Sequence, residues 1–309
     1  MLPAYITHSD CLKHDMGNMH PECPDRIGAI NDMLLIKGLL DCVQSYDAPL
    51  ATEAQLTQAH AALYVHAIAD LSPAEGHVQV DPDTSMNPYT YQAALRAAGA
   101  AVLATDLVIG GKASSAFCNV RPPGHHAQHA EAGGFCFFNN VAVGIRHALN
   151  VHGLQRVALI DFDVHHGNGS EDIFHDDERV IMCSIFEDKL YPFSGNLARG
   201  PNMHNVALPA RSGGELFRAA VTQQWLPALE AFQPQMIFIS AGFDGHREDD
   251  MGNLGLVEAD YAWVTQRIVD VARRHAGGRI VSCLEGGYDL SALARSVTAH
   301  LRVLIGVDG

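Results

Sequence analysis

Four short apolar runs in this chain each stop at a cluster of polar residues, and that repeated arrangement restricts the fold more than any other feature. The clearest is Val157-Ala158-Leu159-Ile160, which leads into Asp161-Phe162-Asp163-Val164-His165-His166-Gly167-Asn168-Gly169. A continuous aliphatic run between Arg156 and a glycine-rich turn reads as a parallel strand buried on both faces. Residues 116–120 run into Arg121-Pro122-Pro123-Gly124-His125-His126, residues 236–240 into Ala241-Gly242-Phe243-Asp244, and residues 279–284 into Glu285-Gly286-Gly287-Tyr288. Further strands are expected at 4–7 and 180–185, with helical periodicity over 26–40, 91–109, 141–151, 214–232 and 260–275. Strand and helix alternate, so the chain should be an α/β protein with a large, mostly parallel central sheet and helices on both faces.

Open parallel sheets bind ligands in the crevice outside the carboxyl ends of their strands. Asp163 and His165 alternate along extended backbone, so both side chains can turn to one side and grip one cation. With Asp244 they supply two carboxylate oxygens and one imidazole nitrogen, leaving a coordination position for water and substrate, as catalytic zinc sites do. Oxygen and nitrogen ligands also suit Fe(II). An aspartate after a strand is by itself commonly a helix N-cap. Acid, base, ligand and phenol at four strand ends together make a hydrolytic apparatus.

No linker, charge run or internal repeat divides the chain, and the polar clusters must fold around one site, so residues 1–309 are expected to form one domain. A net charge of −15 excludes a general phosphate-backbone binder, so no direct nucleic-acid partner is expected. Seven cysteines with no Cys-x-x-Cys pair argue against a disulfide framework or a thiolate metal site. The opening Met1-Leu2-Pro3-Ala4-Tyr5 lacks a basic region followed by a long apolar run. The most apolar helix, expected at 93–109, carries Arg96 and Asp106 and reads as too short and too charged to span a bilayer. A reduced cytoplasm without membrane association is the expectation, and a homo-oligomer is left open.

The Arg-Pro-Pro-Gly-His-His block, Gly134-Phe135-Cys136-Phe137-Phe138-Asn139-Asn140, the Asp-x-Asp-Val-His-His-Gly-Asn-Gly block and Ala-Gly-Phe-Asp occur in an order that resembles the zinc-dependent histone deacetylases. These belong to the arginase/deacetylase superfamily, and the resemblance is nearest to its class II and bacterial amidohydrolase branch. It implies Asp163, His165 and Asp244 as zinc ligands, His125 paired with Asp161 as an electrostatic stabiliser, and His126 paired with Asn168 as general base and then acid. Class I members carry aspartate where this chain has Asn168. A neutral amide does not stabilise imidazolium as a carboxylate does, so His126 should stay an unprotonated base more readily. Tyr288 is implied as the oxyanion donor, and Arg26 as a buried arginine near the acetate exit.

For the substrate tunnel the resemblance implies Gly134 and Phe135, with Tyr191 of Leu190-Tyr191-Pro192 as the second wall. Met251 falls where polyamine-selective relatives place a glutamate, which disfavours a polyamine; Glu248, Asp249 and Asp250 beside it read first as a solvated acidic loop. Structural potassium is implied at Asp161, Asp163, His165 and Ser184, and at a second site built from backbone around Phe174, Asp177 and Val180. The expected activity is removal of acetyl groups from lysine side chains of proteins or peptides. The alternatives are deacetylation of acetylpolyamines or other small acetylated amines, a non-catalytic acyl-lysine binder, and an arginase-like ureohydrolase. The last needs an Asp-x-His-x-Asp run, but His165 is followed by His166-Gly167.

Overall fold

The computed structural model describes residues 1–307. In chain order the strands are β1 (Ala4–Thr7), β2 (Gln44–Asp47), β3 (Val78–Asp81), β4 (Thr84–Met86), β5 (Ala116–Cys118), β6 (Val157–Asp161), β7 (Val180–Glu187), β8 (Met203–Leu208), β9 (Met236–Ala241) and β10 (Ile280–Leu284). The helices are α1 (Asp25–Ile36), α2 (Glu53–Leu56), α3 (Ala62–Leu71), α4 (Thr90–Ile109), α5 (Asn140–Asn150), α6 (Asn168–Phe174), α7 (Gly214–Ala220), α8 (Leu226–Phe232), α9 (Glu258–His275) and α10 (Leu290–Ile305).

Eight strands form one sheet in the order β2-β1-β5-β10-β9-β6-β7-β8, and every pairing is parallel. Both faces are buried. Along β6, Val157 and Leu159 enter one core with α4 and α5, while Ala158 and Ile160 enter the other with α9 and α10. The four strands with polar ends, β5, β10, β9 and β6, are adjacent at the centre of the sheet. Parallel pairing delivers their carboxyl ends to one side.

Edge strand β2 escapes the sequence reading because it is Gln-Ser-Tyr-Asp, and β8, Met-His-Asn-Val-Ala-Leu, because His204 and Asn205 break its apolar run. The β3–β4 hairpin also goes unseen. Helix α10 also goes unseen, although Asp289 as N-cap, Leu293, Val297 and Leu301 on one buried face, and Gly306 at the C-cap mark it. The helix expected over 214–232 is interrupted by a π-helical segment, Val221–Trp225, just before Pro227, which has no N–H for the α-helical ladder. For the helix expected at 93–109, the ground given, too short and too charged to span a bilayer, does not hold. Helix α4 starts at Thr90 and has 20 residues, long and apolar enough to cross a membrane by length and composition. Instead it packs against α5, β1, β5 and β10 as a core helix.

Candidate active site

The loops after the four central strands enclose a cavity of about 120 Å³ lined by Asp83, His126, Gly134, Phe135, His165, Tyr191, Met251 and Tyr288. A larger depression of about 380 Å³ beside Ser115, Arg273 and Ile280 lies at the opposite, amino-terminal side of the sheet, away from these groups.

On the cavity floor, Asp163 Oδ1 lies 3.0 Å and Asp244 Oδ2 3.1 Å from His165 Nδ1. The remaining carboxylate oxygens accept backbone N–H groups, Gly286 on Asp163 Oδ2 at 2.8 Å and Val164 on Asp244 Oδ1 at 2.9 Å. The glycines of the motifs make this convergence sterically feasible. A Cβ on Gly242 would fall 2.0 Å from Asp163 Oδ2, and one on Gly286 2.0 Å from Asp244 Oδ2. Both carboxylates are wholly buried, and burial together with Asp163 raises Asp244 to about 7. Two buried carboxylates facing one imidazole nitrogen form a donor set with surplus negative charge, and a divalent cation fits it.

The tandem histidines lie beside this group with separate partners. His125 Nδ1 donates to Asp161 Oδ2 at 3.0 Å. Burial opposes its charge, but Asp163 and Asp161 outweigh burial and hold the imidazole well above its ordinary value. His126 Nδ1 is 2.7 Å from Asn168 Oδ1 at the start of α6. An amide oxygen only accepts, so His126 carries its proton on Nδ1 and leaves Nε2 as a lone pair. Burial first, then the charge of His125, keeps this ring well below the ordinary histidine range. Adjacent imidazoles are thus driven in opposite directions.

Gly287 has φ +120°, a conformation that favours glycine, and turns Tyr288 into the cavity. Arg26 stacks on the phenol with Cζ 4.8 Å from the ring centroid, and its Nε donates to Gly287 O at 2.7 Å. Behind it, wholly buried Glu22 pairs with Arg26 and Arg121. The Tyr191 ring packs edge-on against His126 at 5.1 Å, and Phe135 against Tyr288 at 5.8 Å. Gly134 and Met251 also line the cavity, so the four expected tunnel residues do surround one opening.

The acidic loop expected at 248–250 is not uniformly solvated. Glu248 ion-pairs with Arg295 at 2.7 Å. Asp249 is 5% exposed; its Oδ2 accepts the backbone N–H groups of Tyr288 and Asp289 at 2.6 and 3.0 Å, and its Oδ1 that of Met251 at 3.0 Å. Its backbone acceptor role left no mark distinguishing it from its acidic neighbours. Glu285 was also missed as a positioning group, although a carboxylate at a strand end was visible. Its Oε2 accepts from the backbone of Gly124 and His125 at 2.6 and 3.1 Å, holding the histidine loop. Asp83, on the unseen hairpin, brings a carboxylate to the mouth.

The residues of the inner potassium expectation converge. Asp161 and Ser184 are register partners on β6 and β7, and Ser184 Oγ is buried without a hydrogen-bond partner, an orphan acceptor that fits a monovalent cation. Phe174, Asp177 and Val180 also turn their carbonyls to one point, but that point holds the side-chain nitrogen of Asn202. These residues do not fit a second cation. Elsewhere Asp106 on α4, His147 on α5 and His152 just beyond it cluster, with both imidazoles 2.7–2.8 Å from one Asp106 oxygen.

The model of the histone deacetylase domain matches residues 20–304. The chain belongs to the histone deacetylase family. It is 36% identical to the histone deacetylase-like amidohydrolase of Pseudomonas aeruginosa, over 93% of this chain and 77% of that protein. Against the polyamine deacetylase HDAC10 of Mus musculus it is 35% identical over 98% of this chain, and it spans 48% of that protein's length. It spans 20% of the type-2 histone deacetylase 2 of Dictyostelium discoideum, with 34% identity over 97% of this chain. Among solved structures, the crystal structure of the HDA15 HD domain superposes with a TM-score of 0.91 at 31% identity, covering 99% of this chain and 88% of that one. This family member is a deacetylase, a hydrolase acting on acetylated substrates.

Proposed function

We propose that the chain, acting as one catalytic unit over residues 1–309, removes acetyl groups from lysine side chains of peptides or proteins. The observation that carries this reading is the pairing of a base-competent His126 with a cationic His125 directly beside the Asp163–His165–Asp244 group. Those three residues would hold the divalent ion, zinc first and Fe(II) as the alternative. When bound, such an ion supplies polarisation of the amide carbonyl and acidification of water.

His126 Nε2 takes the proton from the attacking water, while the Nδ1–H bond to Asn168 fixes the ring. His125, kept protonated by Asp161, adds positive charge where the tetrahedral oxyanion develops, and the Tyr288 hydroxyl donates to that oxygen. His126 then returns its proton to the departing amine, giving acetate and the free lysine. Walls of Phe135, Tyr191, Gly134 and Met251 hold the lysine methylenes and exclude water. The inner cluster of Asp161, Asp163, His165 and Ser184 would hold a potassium ion beneath the catalytic residues. Seven free thiols, five of them buried, agree with a reducing compartment such as the cytoplasm.

A second reading has its own support. Asp83 lines the mouth, and Asp81 lies against it, its Oδ1 accepting the Asp83 backbone N–H at 2.9 Å. An anionic mouth suits a small acetylated amine with a second cationic nitrogen, although Met251 offers that nitrogen no partner. The test is kcat/KM of the zinc-loaded protein for acetyl-lysine peptides, longer acyl-lysines, monoacetylated putrescine and monoacetylated spermidine. Peptides should lead. A higher value for either polyamine would transfer the assignment to the second reading, and no turnover of any acetyl amide would remove both.

A further inference from the structure

From the last residue of α6 to the first of β7, the segment 174–180 turns three backbone carbonyls to a single point. Asn202, just before edge strand β8, sends Nδ2 there and donates to Phe174 O at 2.8 Å, Val180 O at 2.9 Å and Asp177 O at 3.2 Å. One amide nitrogen therefore sits at contact distance from three carbonyl oxygens, the environment otherwise suited to a large monovalent cation.

Three observations fix the amide in this position. The Asn202 carbonyl accepts the Met182 N–H at 2.9 Å, tying the residue to β7. Gly200 lets the segment lie hard against the loop, since a Cβ there would fall 2.0 Å from His175 O and 2.7 Å from Asn202 Oδ1. Asn202 Oδ1 is buried with no partner. The reverse orientation would set that oxygen against three carbonyls, so the acceptors dictate that nitrogen points inward. The surrounding loop is tied by side chains as well: Arg146 Nη2 donates to Ile173 O at 2.9 Å, and Arg179 Nε to the Asp177 carboxylate at 2.9 Å.

We infer that Asn202 is a tethered substitute for the second monovalent cation, so that this chain closes the 174–180 carbonyl nest with its own amide and binds no ion there. The contrast with the inner cluster is chemical. There Ser184 Oγ remains an acceptor without a donor, and no side-chain amide reaches it. Two partial positive N–H groups on Asn202 replace one full charge, and the loop between α6 and β7 is organised independently of ionic composition. The inner site rests on the functional reading above; the Asn202 assignment does not.

Thallium(I) is the probe, because it substitutes for potassium and scatters anomalously. Crystals of the zinc-loaded protein grown without potassium and soaked in thallium acetate should show no anomalous peak among the Phe174, Asp177 and Val180 carbonyls. A peak at that point, with Asn202 displaced, would overturn the inference whether or not the inner site also binds. In solution, Asn202→Asp turns acceptors toward the three carbonyls, so its melting midpoint in choline chloride should fall by roughly 5 °C. Equimolar potassium chloride should close most of the gap between variant and wild type, since any gain from the inner cluster is common to both. A variant as stable as the wild type in choline chloride would show that the nest needs neither amide nor ion and would equally overturn the proposal. Should Asn202→Asp fail to fold, the wild-type crystal result decides alone.

Discussion

The floor and the rim of the cavity are built by different means. The floor stands on the ends of four adjacent parallel strands, β5, β10, β9 and β6, and each of its side chains has a fixed partner: Asn168 on His126, Asp161 on His125, Gly286 N–H on Asp163 and Val164 N–H on Asp244. The rim comes from the β3–β4 hairpin, the loop around Tyr191 and the turn around Met251. Its polar members, Asp81 and Asp83, face one another as like charges. On the proposed function, chemistry would rest on the sheet and choice of substrate on connections that can vary without disturbing it. Changes to the floor should act on kcat, and changes to the rim on KM.

The sharpest attempt to break that division is His126→Ala. With metal occupancy verified, kcat should fall roughly 10³–10⁴-fold with KM little altered, since water activation and amine protonation both pass through this ring. Retention of most activity would sink the assigned mechanism. Tyr288→Phe should cost about 10²–10³-fold in kcat for loss of one oxyanion donor. The metal should stay bound, which elemental analysis of the purified variant checks.

Glu22→Gln tests the support beneath the floor. It strands Arg26 and Arg121 without their buried carboxylate and should destabilise the protein by about 3–5 kcal/mol in denaturant unfolding. Burial opposes the Glu22 charge, but Arg121, His14 and Arg26 outweigh it and hold the carboxyl well below the ordinary range. A depressed native pKa stabilises the fold above the unfolded value of about 4.3. That contribution drains away only as pH falls through the lower native value. Acid titration of stability should therefore be flatter in Glu22→Gln below about pH 4.

Asp249→Asn joins the two regions, because this carboxylate holds the backbone of both Tyr288 and Met251. A misaimed phenol should reduce kcat by roughly 10–100-fold, and an unchanged kcat would show that the glycines alone aim Tyr288. The smallest effect belongs to the rim. Asp83→Asn should raise KM for a dicationic acetylated amine by about 2–5-fold, as for one exposed charge pair, and leave kcat and neutral substrates alone. Measuring the ratio at two salt concentrations isolates the electrostatic part, which screening diminishes.

The same division governs what could be read from the sequence. Buried parallel strands are continuous aliphatic runs, so β6, β9 and β10 stand out, and a polar residue at such a strand end needs a reason beyond packing. His125, His126, Asp163, His165, Asp244 and Tyr288 could all be placed at one crevice for that reason. Asp83 could not, because β3 and β4 are short, half-polar and paired only with each other. Asp249 could not either: its neighbours Glu248 and Asp250 are acidic too, and only the folded loop shows which of the three turns inward. Asn202 illustrates a third kind of failure. Its neighbours give no hint that its side chain closes a backbone nest formed about 25 residues earlier.

The position of β10 has a consequence for how the molecule is assembled. It is the last strand among the described residues, yet it lies between β5 and β9, joining the β2-β1-β5 ladder to the β9-β6-β7-β8 ladder. During ribosomal synthesis both ladders are complete before residue 280 emerges, and each then presents an unpaired, mostly apolar edge, Ala-Phe-Cys on β5 and Met-Ile-Phe-Ile-Ser-Ala on β9. Such edges are templates for pairing with another chain. The nascent protein is most exposed to aggregation in that interval, and insertion of Ile280–Leu284 closes both edges as it carries Tyr288 to its place.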